Sequence, residues 1–350
     1  MTPARSAMAW NIGDFFLEKG LSVHWVTSSP DQLARLRQRI ARTRRRTANF
    51  SPERLGEFDA DCHLLNAGDI PVPDVILEAS EESLPKKRDV FASLSPLITE
   101  RTMIFSTSSS LLPGALHRNC LGAHFFYPVQ LTACVELIVP ETCNEVRRRK
   151  SLGFFRENGY DILEQDEKTA FLVNRLLLPL QAACLQALQD GFSAPVVEEA
   201  SRSELIGAGQ LSMMDAIGLD LIVAAVCNYR HFDAAMGPDC DLLLSGLEML
   251  LHLGKQGRKN GDGLLIGGAL PWPGREVGAE EQKNLQKHLA NTLKEACLRE
   301  YRRKNIGLDQ LQMVCERIFR AGDFSRTFFT GQAAQPAGAT DRNEGSLSIV

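Results

Sequence analysis

At 350 residues the chain is too long for one ordinary core and suits two domains. Its 44% apolar and 23% charged residues are those of an ordinary globular protein, and a net charge of −4 gives no global reason to expect nucleic acid or a membrane surface as partner. No run of 18 uncharged apolar residues exists, so no transmembrane helix is expected, and the first residues, MTPARSAMAW, do not read as a secretory signal.

Residues 8–20 read as a short helix closed by Gly20, and 21–27 (LSVHWVT) alternate as a strand. An arginine-rich helix follows over 31–46, then a second strand at 73–80 (PDVILEAS), a helix over 86–98 and a strand at 102–109. AHFFYPV and VELIVP are apolar pieces around a turn. This alternation predicts a parallel sheet with covering helices. Beyond about residue 165 the pattern turns to long helices, over 171–191 and 280–304, separated by the Gly/Pro-rich IGGALPWPG at 266–274. The last twenty residues, 331–350, are small, polar and aperiodic and read as a disordered tail. The nine cysteines include no CxxC and no zinc-like spacing with histidine, which fits reduced thiols in a cytoplasmic protein and no metal site. Leu176, Leu180, Ala183, Cys184 and Leu185 recur 113 residues later as Leu289, Leu293, Ala296, Cys297 and Leu298. That is either a repeated packing unit or chance likeness between amphipathic helices.

Four segments, in order, carry a family resemblance. Ser106–Leu111 (STSSSL) resembles S-N-T-S-S-L at a strand end; His124–Val129 (HFFYPV) resembles H-F-F-N-P-V; Val135–Ile138 (VELI) resembles V-E-V-I, twelve residues after the histidine; and Phe171–Leu177 (FLVNRLL) resembles F-x-V-N-R-L-L. Glu78-Ala79 with Glu82 and Lys87, the Met214–Asp220 segment and Gly257–Gly263 extend the match over about residues 8–325. Together they are similar to the 3-hydroxyacyl-CoA dehydrogenase family. The resemblance implies a Rossmann-like α/β N-terminal domain (1–165) followed by an all-α C-terminal domain (166–265), with 275–328 as a partial second helical copy. Shorter relatives pair that copy across a dimer, so monomer and homodimer are both open.

The implied activity is hydride transfer between a nicotinamide cofactor and a 3-hydroxyacyl or 3-ketoacyl thioester, on CoA or on a carrier. In that role His124 is the base and Glu136 its partner, while Ser109 and Asn174 hold the substrate. The same resemblance sets the cofactor, NAD or NADP, against Ser6, Met8, Thr27, Glu82, Lys87 and Thr107. Without it, His124 reads as a core histidine, Ser109 as part of a serine-rich turn, Asn174 as a helix-packing residue, and Glu82 and Lys87 as a solvated pair.

The sequence departs from the family at the dinucleotide fingerprint. Its glycine positions fall on Ala4, Ser6 and Ala9, and no strand precedes them. The acidic residue after the second strand is replaced around Thr27-Ser28-Ser29, followed by Arg35, Arg37, Arg39, Arg42, Arg44, Arg45 and Arg46. Those arginines suit an adenosine 2′-phosphate, the phosphates of CoA, or simply a solvated helix face. Tyr127 stands where the family has asparagine. The alternative function is therefore a degenerate member that binds an acyl thioester or a partner protein without nicotinamide turnover; acid–base chemistry without hydride transfer is a third reading.

Overall fold

The computed structural model describes residues 3–50, 60–65, 68–202, 207, 209–232 and 236–320, without the side chains of 3–7, 46–50 and 232. The side chain of Ser6, the end of the expected second copy and the expected tail lie outside the described residues. The chain divides into two compact units, 1–171 and 172–350.

The first unit is a Rossmann-like α/β fold. Its elements are α1 (Pro3–Glu18), β1 (Val23–Thr27), α2 (Pro30–Phe50), β2 (Ala60–Leu64), β3 (Val75–Glu78), α3 (Leu84–Leu94), β4 (Met103–Ser106), α4 (Pro113–Leu116), β5 (Cys120–Phe125), α5 (Val129–Thr132), β6 (Cys134–Val139), α6 (Glu145–Glu157) and β7 (Asp161–Asp166). The strands form two sheets: β1 and β2 pair in parallel, and a separate five-stranded sheet runs β3-β4-β5-β6-β7. Within the larger sheet only β5 and β6 are antiparallel. An eight-residue connection holding α5 joins β5 to β6, too short for the crossover a parallel pair needs. Neither β2 (ADCHL) nor β7 (DILEQD) is expected from the sequence: β2 is short and carries only small or modest apolar residues on its apolar face, and β7 carries polar residues on both faces.

Helix α1 drives Ile12, Phe15 and Phe16 into a core shared with Phe105, Leu121, Phe125, Val135, Leu137, Phe155 and Tyr160. Burial of such large side chains is worth about 1.5–3 kcal/mol each and fixes the helix on the sheet. Gly13 lets α1 approach β1 closely, since a Cβ there would lie 2.4 Å from the Trp25 ring. Arg39 of the basic helix α2 is committed to α1: it donates to Asp14 at 2.8 Å and its guanidinium lies 4.3 Å from the Trp10 ring centroid.

The second unit is all helical within the described residues: α7 (Leu172–Gln189), α8 (Ala194–Arg202), α9 (Gln210–Ile217), α10 (Leu219–Phe232), α11 (Gly237–His252), α12 (Ala279–Arg302) and α13 (Leu308–Met313), with a π-turn at Val314–Phe319. Helix α7 is buried nearly all round, and α12 packs along it through Leu289, Leu293, Ala296, Cys297 and Leu298, all buried. Gly209 offers α9 no side-chain cap, and Glu198 of α8 takes that part by accepting from the backbone N–H groups of Leu211 and Ser212. The GRKNGDG segment wraps Asp215, whose carboxylate accepts from Leu264 N at 2.7 Å and Leu265 N at 2.9 Å. No single described helix is long and apolar enough to cross a membrane.

Candidate active site

Antiparallel pairing of β5 and β6 sets His124 directly opposite Glu136 in the register. Residues facing one another across such a pair project to the same side of the sheet. The His124 Nδ1 and Glu136 Oε2 atoms are 2.5 Å apart; the Glu136 side chain is fully buried and that of His124 is 12% exposed. An ionised carboxylate only accepts, so Nδ1 carries the proton and Nε2 keeps a free lone pair. Two phenyl rings meet the imidazole edge-on, Phe126 at 4.9 Å and Phe171 at 5.8 Å between centroids. Phe171 closes the first unit with φ of 58°, a conformation rare outside glycine.

A second group of side chains gathers at the carboxyl ends of β3 and β4. Glu78, at the end of β3, has a fully buried side chain. It accepts from Lys87 Nζ at 2.9 and 3.1 Å, from Ser106 Oγ at 2.7 Å, and from Ser80 N and Oγ. Lys87, on α3, is itself buried and also donates to Ser80 O. Glu82 Oε1 gathers four donors from one turn: Ser108 Oγ, Ser109 N, and Ser110 N and Oγ, at 2.5–3.1 Å. Its Oε2 faces Lys87 Nζ at 3.7 Å. The serine-rich loop is thus ordered by a buried carboxylate, and the register Ser106↔Gly122 puts it at the same end of the sheet as His124. Thr107 sits in this turn and its N–H donates to Glu78 O.

Burial pushes the Glu78 carboxyl up, but the Lys87 charge and the hydrogen bonds from Ser80, Ser106 and Lys87 outweigh it and hold the group below the ordinary carboxylate range. A group with a depressed folded pKa stabilises the protein above its unfolded value, about 4.3, and that contribution disappears as pH falls through the folded value. The melting temperature of the wild type is therefore expected to approach that of Glu78→Gln as pH drops below about 4. A gap between their thermal melts that is constant from neutral to acid pH contradicts this.

The remaining predicted residues are spread wider. Thr27 ends β1, where its hydroxyl donates to Gln32 Oε1 at 2.7 Å. Met8 lies in α1 as a partly buried neighbour of the main core. Tyr127 is 65% exposed. Asn174 belongs to the second unit, in the first turn of α7, where Nδ2 donates to Tyr229 Oη at 2.6 Å. Sequence reasoning quotes Glu78, Ser106, Ser108 and Ser110 as motif positions but assigns them no role. The available signal was a glutamate ending an apolar strand, which needs a buried partner.

Residues 6–160 match the family model described as the NAD binding domain of 3-hydroxyacyl-CoA dehydrogenase, and residues 171–266 that of its C-terminal domain. A 3-hydroxybutyryl-CoA dehydrogenase of Clostridioides difficile is 30% identical over 169 residues, 45% of this chain and 59% of that protein, so the chain spans little more than half of that relative. FadB2 of M. tuberculosis has a similar fold, with a TM-score of 0.64 at 23% identity over 75% of this chain and 95% of that one. The (S)-3-hydroxybutyryl-CoA dehydrogenase PaaH1 of Ralstonia eutropha gives 0.64 at 22% identity over 76% and 97%.

Proposed function

Because the chain belongs to the 3-hydroxyacyl-CoA dehydrogenase family, we propose that it interconverts a 3-hydroxyacyl and a 3-ketoacyl thioester with a nicotinamide cofactor. The observation that carries this reading is the 2.5 Å contact of His124 with the buried Glu136. In the oxidative direction His124 Nε2 takes the proton of the substrate 3-hydroxyl, and in the reductive direction it returns it. Glu136 holds the imidazole in the required tautomer and stabilises the imidazolium that forms. Phe126 and Phe171 keep bulk water from the ring edge. Ser109 is the hydroxyl assigned to the substrate oxygen, held in place by its backbone bond to Glu82. Asn174, whose side chain is oriented by Tyr229, is the second substrate-holding residue.

A nicotinamide ring, when bound, supplies the hydride acceptor or donor. The residues that fit it lie at the carboxyl ends of β3 and β4, where open α/β sheets take their nucleotides. There Glu82 and Thr107 suit the nicotinamide-side ribose, with Lys87 acting through Glu82 rather than on the cofactor. Ser6, Met8 and Thr27 are assigned to the remainder of the dinucleotide, NAD or NADP. The substrate is an acyl-CoA or acyl-carrier thioester. Helix α12 packs along α7, the surface that shorter relatives use for pairing, and the working form is a monomer or a homodimer.

A second reading is favoured by one observation: β1 ends on Thr27, with no acidic residue there. On that reading the protein binds a thioester or partner without turnover. Titration with NADH and NADPH, followed by fluorescence, and turnover of acetoacetyl-CoA separate the two. Saturable binding of one nucleotide with turnover is expected; no binding of either and no turnover leaves the second reading.

A further inference from the structure

Helix α7 carries a proline in its interior, Pro179. Proline has no N–H, so the helical bond from residue 179 back to the carbonyl of Arg175 cannot form. That carbonyl closes the first turn of α7, the turn that holds Asn174. The missing bond therefore falls between this turn and the rest of the helix, where helices kink most readily.

Helix α12 answers the break. Arg299 Nη2 donates to Arg175 O at 3.4 Å, where α12 packs along α7. A guanidinium donor makes this bond charge-assisted. Pro179 and Arg299 line one groove, with Asp239 of α11 beside them. Two carboxylates aim the guanidinium: Nε donates to Glu300 Oε1 at 3.4 Å, and Nη1 faces Asp239 Oδ2 at 3.7 Å. The Glu300 side chain is fully buried and also accepts from Asn305 Nδ2 at 2.7 Å. Three nitrogens of one rigid fork thus serve acceptors on α7, α11 and α12. A lysine, with one nitrogen on a flexible stem, cannot serve all three.

Asn174 is oriented at its other end by Tyr229, which accepts from Nδ2 at 2.6 Å and is itself buried. That bond sets the direction of the amide. The backbone carrying it belongs to the turn that Pro179 leaves short of a helical donor. We propose that Arg299 is a positioning residue: by holding the carbonyl of Arg175 it fixes the first turn of α7, and with it Asn174, for the substrate. This inference rests on the assignment of Asn174 to the substrate in the reaction proposed above. It gives α12 a part in the site beyond packing.

Four proteins test it: wild type, Arg299→Lys, Pro179→Ala and the double variant. Lysine keeps a positive charge beside Glu300 and Asp239, so no buried carboxylate is stranded. Alanine at position 179 supplies an N–H for Arg175 O and makes the arginine dispensable there. In the wild-type background, Arg299→Lys is expected to raise KM for acetoacetyl-CoA about fivefold, the effect of one ordinary hydrogen bond, with kcat within about twofold. The amides of residues 176–178 are expected to exchange about fivefold faster. In the Pro179→Ala background the same substitution is expected to move both readouts less than about twofold. A merely structural role would lower the melting temperature and the active fraction, so kcat would fall and KM would stay. That pattern, or equal changes in both backgrounds, overturns the proposal. Wild-type protein without turnover removes the proposed reaction instead. The exchange readout needs no turnover, and unchanged exchange in Arg299→Lys overturns the positioning role by itself.

Discussion

Replacing His124 by glutamine is expected to cut acetoacetyl-CoA turnover by about 10²–10⁴-fold, the usual contribution of a positioned general acid–base. The amide fills the space of the imidazole and leaves nothing that titrates near neutral pH. Nucleotide binding, measured by NADH fluorescence, is expected to be unchanged, because the residues assigned to the cofactor lie on other helices, strands and loops. Glu136→Gln tests the same pair from the other side. An amide can donate to Nδ1 and drive the proton to Nε2, which removes the base, so a loss in the same range is expected. Rates within threefold of wild type for both variants would remove the catalytic role from this pair. A core histidine with no chemical role would instead show its loss in the melting temperature.

The largest stability effect is expected at Lys87. Its ammonium and the Glu78 carboxylate are both buried, and removing one partner of such a pair costs about 3–5 kcal/mol because the other charge is left without compensation. Lys87→Met should therefore lower the melting temperature by about 10 °C. The double variant Lys87→Met/Glu78→Gln should recover most of that loss, since two neutral groups of similar volume carry no stranded charge and Ser80 and Ser106 keep an acceptor. If the double variant melts no higher than the single one, the cost lies in packing and not in charge. Because Glu82 also faces Lys87, loss of the ammonium is expected to loosen the serine turn.

Much of this site is legible in the sequence, though by two different routes. The βαβ rhythm and the change to long helices follow from periodicity, and the strands around Val75–Glu78 and Met103–Ser106 are strong because they are apolar and bounded by turns. The pairing of His124 with Glu136 is not readable from periodicity. Twelve residues separate them, and only a family motif or an antiparallel register says that they face each other. Polar strands escape altogether: β2 and β7 each bury only two residues, too few to announce themselves. The serine run at Ser106–Ser110 looks from composition like an ordinary turn. Its meaning comes from Glu82, a partner twenty-six residues away from Ser108, and long-range polar pairing leaves no local signature. The arginine run misleads in the same way, because charge alone does not say that Arg39 turns back onto Trp10 and Asp14.

The backbone at Phe171 has a consequence of its own. A benzyl side chain on a left-handed residue carries an energetic penalty of about 1–2 kcal/mol that glycine would avoid. The ring at this position flanks the imidazole of His124. Phe171→Gly would relieve that backbone penalty while removing the edge-on contact with the imidazole, so stability and the packing of His124 pull in opposite directions at this position.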